Sequence, residues 1–572
     1  GLPQAVRSGA SIYEHQLGVS IFDYFRTHPE DGAIFDQSMT NFSSQIAPAI
    51  AGSPVFAPLR QLIDVGGGQG YLLATILRQY PHLTGTVVDL ADVTIAAPEY
   101  PDLAGRLSFN PGSFFESLPT GADGYVMKHI LHDWSDIDSG RILQQIHGAM
   151  APNGTLFVVE HVIQHGNGPD FAKLLDLEML TVGGKERTAA EFRKLFADNG
   201  FTLTEFVPTH SALAIIIGKR TVDVPDAVAA ADPPPAPPPP DLPIIPLMQL
   251  ITAEFAHQAI YTMAVLGIAD ELGDEPLLVD TLATRSNCHP DALFRLLRAG
   301  ACLGVFSEVS PRMFAHTPMS RLLRINDPLS LRDAVIFFNA PYQRRGLEGL
   351  AISIKTGEPA WNAIFHEVTF ATYEKNPEMQ RDFMGAMTAM SRLEMGPIVA
   401  AFDPGDATEI IDIAGGHGQL LSAILSKHVG LRGMVYDLDF VTPHAAERFA
   451  VMGLIERTRV ESGDFFDHVP HGGQCYLMKY ILHDWADEDA VRILRNIATV
   501  MDPNGKLVVI DAVIPPGDQF HLGKLIDIQM AVIGGRERTE EQFRALFAVA
   551  GLRLDRIIPT GMHLSLIEAR KV

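Results

Sequence analysis

Cysteine is scarce: Cys288, Cys302 and Cys475 are the only three in 572 residues. None falls in a CxxC or a Cys/His pattern with metal spacing. They support neither a disulfide framework nor a zinc module, and read as small buried hydrophobes of a reducing compartment. Basic charge is also short, with 44 Lys and Arg against 68 Asp and Glu and a net charge of −24. Nucleic-acid binding by counterion release needs clustered cations, so this balance argues against it. No apolar run approaches the roughly 18 residues of a membrane helix, and no signal-peptide pattern opens the chain. The expectation is a cytoplasmic protein with neither membrane nor nucleic acid as partner. Hydrophobic residues make up 47% of the chain, enough for several cores, and the length alone predicts three or four domains.

What the chain does contain is one sequence written twice. MKHILHDW at 127–134 returns as MKYILHDW at 478–485. At an offset of 348, LIDVGGGQG at 62–70 meets IIDIAGGHG at 410–418, and VVDL at 87–90 meets VYDL at 435–438. From GSFF at 112–115 and GDFF at 463–466 onward the offset is 351, and GGKERT at 183–188 meets GGRERT at 534–539. Solenoid repeats run about 20–50 residues, so these are two complete globular units. The expected organisation is a first unit at 1–220, a proline-rich linker at 221–246, a helical segment at 247–345 and a second unit at 346–572. The linker holds ADPPPAPPPPDLP, which favours extended polyproline II and reads as a stiff spacer or a PxxP ligand. The helical segment reads helix, turn, helix, then a short hairpin, a winged-helix pattern. It could bind DNA or dimerise. The first copy begins where such a segment should just have ended, so its own version is absent or cut off.

Each unit alternates strand and helix patterns, which implies a parallel sheet covered by helices, with ligands at the C-terminal strand ends. Glycines in DVGGGQG let a backbone turn tightly and a ligand approach closely. Alone they are a weak signal, since dinucleotide enzymes use a similar loop. Asp89, ending the second strand, is placed to bind ribose hydroxyls. His132 follows the next strand directly, as does His483. Glu160 ends the strand beyond, and Glu186 lies in the Gly-Gly loop; the second set is His483, Asp511 and Glu537. A histidine flanked by two acids is the layout of an oriented general base.

D-V-G-G-G-x-G, G-[DS]-F-F, K-x-I-L-H-D-W and G-G-[KR]-E-R-T, in that order and twice, resemble the S-adenosylmethionine-dependent O-methyltransferase family of the caffeic acid, acetylserotonin and bacterial aromatic polyketide enzymes. The resemblance covers the second copy with the helical segment, and the first copy without it. It implies an α/β fold: two Rossmann-like doubly wound methyltransferase domains plus one α-helical, winged-helix-like dimerisation domain. It further implies that the glycine loop, at Gly66 and Gly415, holds the methionine part of the cofactor. Asp89 and Asp437 would bind its ribose, and Asp464 its adenine, with Phe114 and Phe465 nearby. Lys128, Lys479, Ser43 and Ser391 would lie beside it. His132 and His483 would be bases supported by their acids. Met39, Met179, Met387 and Met530 resemble positions lining an aromatic substrate pocket, or are ordinary core. The implied reaction is methyl transfer to a hydroxyl on a small aromatic molecule. It requires no metal, and no metal-ligand cluster is visible in the sequence. An internal pseudo-dimer, a homodimer, or both are implied.

The copies depart from the pattern at three places. Ser113 replaces the acid of G-D-F-F, which weakens the adenine contact. Ala414 replaces a loop glycine. Asp511 stands where the first copy has Glu160, one methylene shorter and expected not to reach His483. Both copies retain the histidine, lysine and ribose acid, so both are expected to be at least partly competent, the second favoured by its adjoining helical segment. N-methylation, other chemistry with the same cofactor, a degenerate scaffold unit and a winged-helix regulator are the alternatives.

Overall fold

The computed structural model describes residues 1–224, 230–233, 244–439 and 441–572. Most of the expected linker, including its proline run, lies outside the described residues. The described chain forms two compact units, Gly1–Arg324 and Ile325–Val572.

The first unit is built on a seven-stranded sheet. Its strands are β1 (Gln61–Val65), β2 (Thr84–Asp89), β3 (Leu107–Pro111), β4 (Gly124–Lys128), β5 (Thr155–Glu160), β6 (Phe201–Pro208) and β7 (Ala214–Arg220). Their spatial order is β3-β2-β1-β4-β5-β7-β6, parallel except for β7, which runs antiparallel to both neighbours. The central strands are apolar on both faces because helices cover both sides. Alternate residues feed two cores. Ile63, Tyr125, Met127 and Val158 enter one; Leu62, Val126, Phe157 and Val159 enter the other. The second unit repeats the same order with strands from Glu409–Ile413 to Leu564–Lys571. Its two cores divide in the same way, Ile411, Tyr476 and Val509 against Ile410, Leu477 and Val508. Cys475 is buried in the second of these, whereas Cys288 and Cys302 are only partly buried; all three are free thiols.

The helical segment carries helices Ala253–Val265, Val279–Ser286 and Pro290–Cys302 and a three-stranded antiparallel wing from Leu277–Leu278, Met313–His316 and Phe306–Ser310. Its placement corrects an expectation. In sequence it adjoins the second copy, but in the structure it packs on the first. Ala253–Val265 and Pro290–Cys302 lie against Leu2–Ser8 and Phe171–Val182. His289 N donates to Val6 O (2.9 Å). Arg295 Nε and Arg298 Nη2 donate to Asp176 Oδ2 at 2.9 and 2.7 Å. Asp176 is fully buried, so an unpaired charge there would be costly, and the two guanidiniums provide the reason for this docking. The end of the expected segment, helices Arg332–Phe338 and Pro341–Glu348, belongs to the second unit, where Phe337 packs with Trp361, Tyr373 and Ala386.

Candidate active site

The strand order reverses direction between β1 and β4, so loops leaving these strands diverge and open a crevice at the sheet's C-terminal edge. Four side chains or loops meet that edge: the glycine loop after β1, Asp89 ending β2, Lys128 ending β4 and Glu160 ending β5. The glycine loop is tied to β2. Gly66 N donates to Val88 O (2.8 Å), and Asp89 accepts from Gly68 N (2.8 Å) and Leu90 N (2.7 Å). Gly416 N and Leu438 N make the same bonds to Asp437. Burial raises Asp89 and Asp437 above the ordinary carboxylate range.

The loop must be glycine at Gly67, because a Cβ there would meet the Asp64 carboxylate at 2.6 Å. Both Asp64 oxygens are buried without a hydrogen-bond partner, and burial pushes this carboxyl up to about 7. Asp412 stands below Gly415 with its Oδ2 unpartnered, and burial pushes it up to about 7 as well. A carboxylate held orphaned beneath a glycine cradle, with a ribose-type acid at the next strand end, fits a cofactor that brings a cation and a ribose. No role for Asp64 or Asp412 was read from the sequence, although both stand inside the quoted motif.

Ala414, the counterpart of Gly66, keeps a left-handed backbone at φ 52°. An L-residue there costs roughly 1–2 kcal/mol. Ala414→Gly is therefore expected to raise stability by about 1 kcal/mol, read as a shift in the urea midpoint at unchanged m.

His132 sits in a single 3₁₀ turn, Leu131–Asp133, and is buried to 8% exposure. Its Nδ1 lies 2.7 Å from Glu186 Oε1 and 3.8 Å from Glu160 Oε2, and its Nε2 lies 3.5 Å from Asp133 Oδ1. Glu160 also accepts from Ile130 N and Leu131 N (3.1 and 2.9 Å), so it holds the turn as well as facing the ring. Burial alone would depress the imidazole; Glu160, Asp133 and Glu186 together outweigh it and push His132 up to about 10. His483 repeats the Glu537 contact (2.8 Å) and the Asp484 contact (3.5 Å). Asp511 accepts from Tyr480 N instead (3.1 Å), and among the described residues Asp484 and Glu537 are the only acids within 4.0 Å of His483. The shorter acid thus contributes only at longer range, and His483 is pushed up less, to about 9.

Three supporting groups carry more of the site than the sequence revealed. The Asp of HDW, Asp133 or Asp484, adjoins the outer ring nitrogen. The Arg of ERT, Arg187, is buried and donates to Leu131 O (2.7 Å) and Trp134 O (3.0 Å), clamping the histidine turn; Arg538 does the same at Leu482 and Trp485. Asp176 Oδ1 accepts from Glu186 N (2.8 Å), while Arg295 bonds both Asp176 and Gly184 O. The helical segment therefore reaches the first histidine through Asp176 and Glu186. Asp527 makes the Glu537 bond in the second unit (2.8 Å), where helix Pro341–Glu348, from the end of the expected segment, packs on its helix Leu522–Ile533.

The tryptophan of HDW packs edge-on to Phe115 (4.8 Å) in the first unit and Phe466 (4.8 Å) in the second, tying the turn to the phenylalanine motif. Phe114 and Phe465 sit 6.3 and 6.2 Å from the same indoles. Ser113 Oγ accepts from Phe115 N, and Asp464 Oδ1 from Phe466 N, so both cap the same turn. Lys128 is depressed by burial despite Asp64. Lys479 Nζ donates to Ser391 Oγ (3.1 Å) and pairs with Glu394 (2.9 Å). Ile46 occupies the position of Glu394 in the first unit, where Ser43 is buried on helix Pro29–Ala51. Met179 and Met530 are buried near the ends of helices Phe171–Val182 and Leu522–Ile533, and their carbonyls accept from both glycines of the Gly-Gly turn. Met39 and Met387 lie on the long helices Pro29–Ala51 and Pro377–Ala401, and Met387 packs against the Phe337–Trp361 cluster.

A doubly wound sheet whose seventh strand is antiparallel, with a glycine cradle and a ribose-type acid at its switch point, defines an S-adenosylmethionine-dependent methyltransferase. The chain belongs to the O-methyltransferase family: the model described as the O-methyltransferase domain matches residues 1–202 and 348–553, and the O-methyltransferase dimerisation domain matches 248–325. It is similar to the phenazine O-methyltransferase PhzM of Lysobacter antibioticus, 37% identical over 327 residues, 57% of this chain and 96% of that protein. It is also similar to the mitomycin biosynthesis 6-O-methyltransferase of Streptomyces lavendulae, 35% identical over 56% of this chain and 93% of that one. Among solved structures, LaPhzM matches with TM-score 0.55 and 36% identity over 58% of this chain and all of its own. The riboflavin-type N,N-dimethyltransferase RosA of Streptomyces davawensis matches with TM-score 0.51 and 33% identity over 58% of this chain and all of its own. Among the described residues no helix is long and apolar enough to cross a membrane.

Proposed function

We propose that both units methylate a hydroxyl of a small aromatic molecule, with His132 and His483 as general bases. The observation that carries this reading is the buried imidazole–carboxylate pair at 2.7–2.8 Å, present in both units at the same strand end. Bound S-adenosylmethionine supplies an electrophilic methyl group. The chain must supply an ionised oxygen and hold it in line. The glycine loop and Asp89 or Asp437 would hold the cofactor, with Asp64 or Asp412 balancing its cation. Ionising a phenol of pKa about 10 at pH 7 costs about 4 kcal/mol in water. A histidine raised to about 9 or 10 is nearly matched to that phenol, so the proton moves with little net cost once the ring is neutral. Glu186 or Glu537 then stabilises the imidazolium. Relatives named for phenazine and mitomycin biosynthesis support a fused or substituted aromatic substrate.

The pH dependence tests this. Only the neutral imidazole accepts a proton, so kcat/KM should climb as pH rises above 7 toward 9. Stability of the cofactor-free protein should move the other way. A histidine raised in the fold stabilises below its unfolded value near 6.5 and loses that contribution as pH rises through 9 to 10. Asp64 and Asp412, raised to about 7, add the same sign between pH 4 and 7. A rate profile flat from pH 6 to 9 on a methylated hydroxyarene would remove the base role.

RosA, matched at 33% identity, is named as an N,N-dimethyltransferase, so an aromatic amine is the second substrate class to assay. The helical segment supports a homodimer, by the dimerisation-domain match at 248–325.

A further inference from the structure

We propose that the first unit holds a divalent transition-metal site built from His129, His132 and Glu160, which the second unit lacks. One ligand atom from each of these three residues lies within 4.8 Å of the other two. Glu160 is fully buried, and its Oε2 has no hydrogen-bond partner; nor has the buried Nδ1 of His129. Two orphaned polar atoms on residues clustered with a second imidazole are what a cation would satisfy. His161 adds a further ring, its centroid 5.8 Å from that of His129, which is itself 4.9 Å from His132. Imidazole with carboxylate suits zinc, cobalt, nickel or iron, and rejects magnesium and calcium, which prefer oxygen alone. Ligand distances near 2.0–2.1 Å need the three groups to draw in by about an ångström. Three protein ligands leave a coordination position open to water or a hydroxyl.

The second unit shows the contrast. Tyr480, His483 and Asp511 stand at the three positions, and Ala512 at that of His161. Tyr480 hydroxyl is already engaged, donating to Glu394 and lying 2.8 Å from His563 Nε2. His129 and Tyr480 share the same backbone, φ 55° and 56°, so each residue type fits the same turn. With a metal bound, the lone pair of His132 is committed to it, and proton abstraction in the first unit stops while the second continues. The metal site itself stands without the base reading.

The test is titration of the chelator-treated full chain with Co²⁺ and Zn²⁺, followed by calorimetry and visible absorption. The expected result is one tight equivalent per chain, with Co²⁺ d–d bands marking a low-coordinate nitrogen and oxygen site. His129→Tyr, which installs the second unit's own residue, should weaken binding at least 100-fold while its circular dichroism remains native. Glu160→Gln is the second variant and should weaken it likewise. Absence of a tight equivalent in the parent chain, or its retention in either variant, overturns the proposal. Because binding and absorption are read without turnover, failure here is distinct from failure of the base role, which would show only in methylation rates.

Discussion

His483→Ala should lower methyl transfer at the second unit by about 10²–10⁴-fold, and His132→Ala should do the same at the first. A single variant then leaves the other unit's rate, and the double variant falls close to background. The size of the effect comes from what replaces the base. Without the imidazole the hydroxyl must ionise to water or react as the neutral phenol, and the preorganised acceptor nearly matched to phenol is gone. Asp484 would remain, but burial pushes its carboxyl only to about 6, still a far weaker acceptor than an imidazole raised to about 9. The measurement is single-turnover methylation of a hydroxyarene panel by parent, single and double variants. S-adenosylmethionine calorimetry is run alongside to show that the cofactor still binds. A double variant within threefold of the parent would end the argument for base catalysis; a single variant already at background would show the other unit to be silent.

The second large effect comes from the Gly-Gly loop. A Cβ on Gly184 would overlap the His132 carbonyl oxygen, and one on Gly535 the His483 carbonyl oxygen, closer than real Cβ contacts ever come. The obstacle in each case is backbone, with Asp133 or Asp484 backbone behind it, so no flexible side chain can yield. The same carbonyls accept from Lys185 N and Arg536 N at 2.7 Å. Gly184→Ala or Gly535→Ala must therefore push the histidine turn away from its glutamate. Overpacking of this kind costs about 1–3 kcal/mol in stability. The shift of an ångström in the base should cost on the order of 100-fold in rate. Gly148→Ala, on the exposed side of helix Asp136–Ala149 with open space at its Cβ, is the control and should be neutral or slightly stabilising. Equal activity in Gly184→Ala, Gly535→Ala and Gly148→Ala would show that the turn does not depend on this contact.

Much of the site was legible because its motifs are short and end on strands. QLIDV followed by glycines marks a buried strand feeding a helix, and Asp89, Lys128 and Glu160 each close a strand of the same parallel sheet. Parallel strands align their ends, so residues far apart in sequence share one edge. The pair His132–Glu186 followed from the repeat of HDW with ERT. The clamps were less legible. Arg187 lay in a quoted motif, but its target is two backbone carbonyls, and carbonyls leave no mark in sequence. Asp64 reads as one more acid until the fold buries it without a partner.

The amino-acid sequence by itself determined that there are two doubly wound units, where each glycine loop lies, and which histidine faces which glutamate, because these depend on local periodicity and on motifs repeated at constant offset. Only the tertiary structure decided that the helical segment closes on the first unit rather than its neighbour in the chain. The same is true of Asp511 turning to a backbone amide. Those outcomes rest on where buried charges find partners, and a buried charge selects its partner by distance in space, to which order along the chain is indifferent.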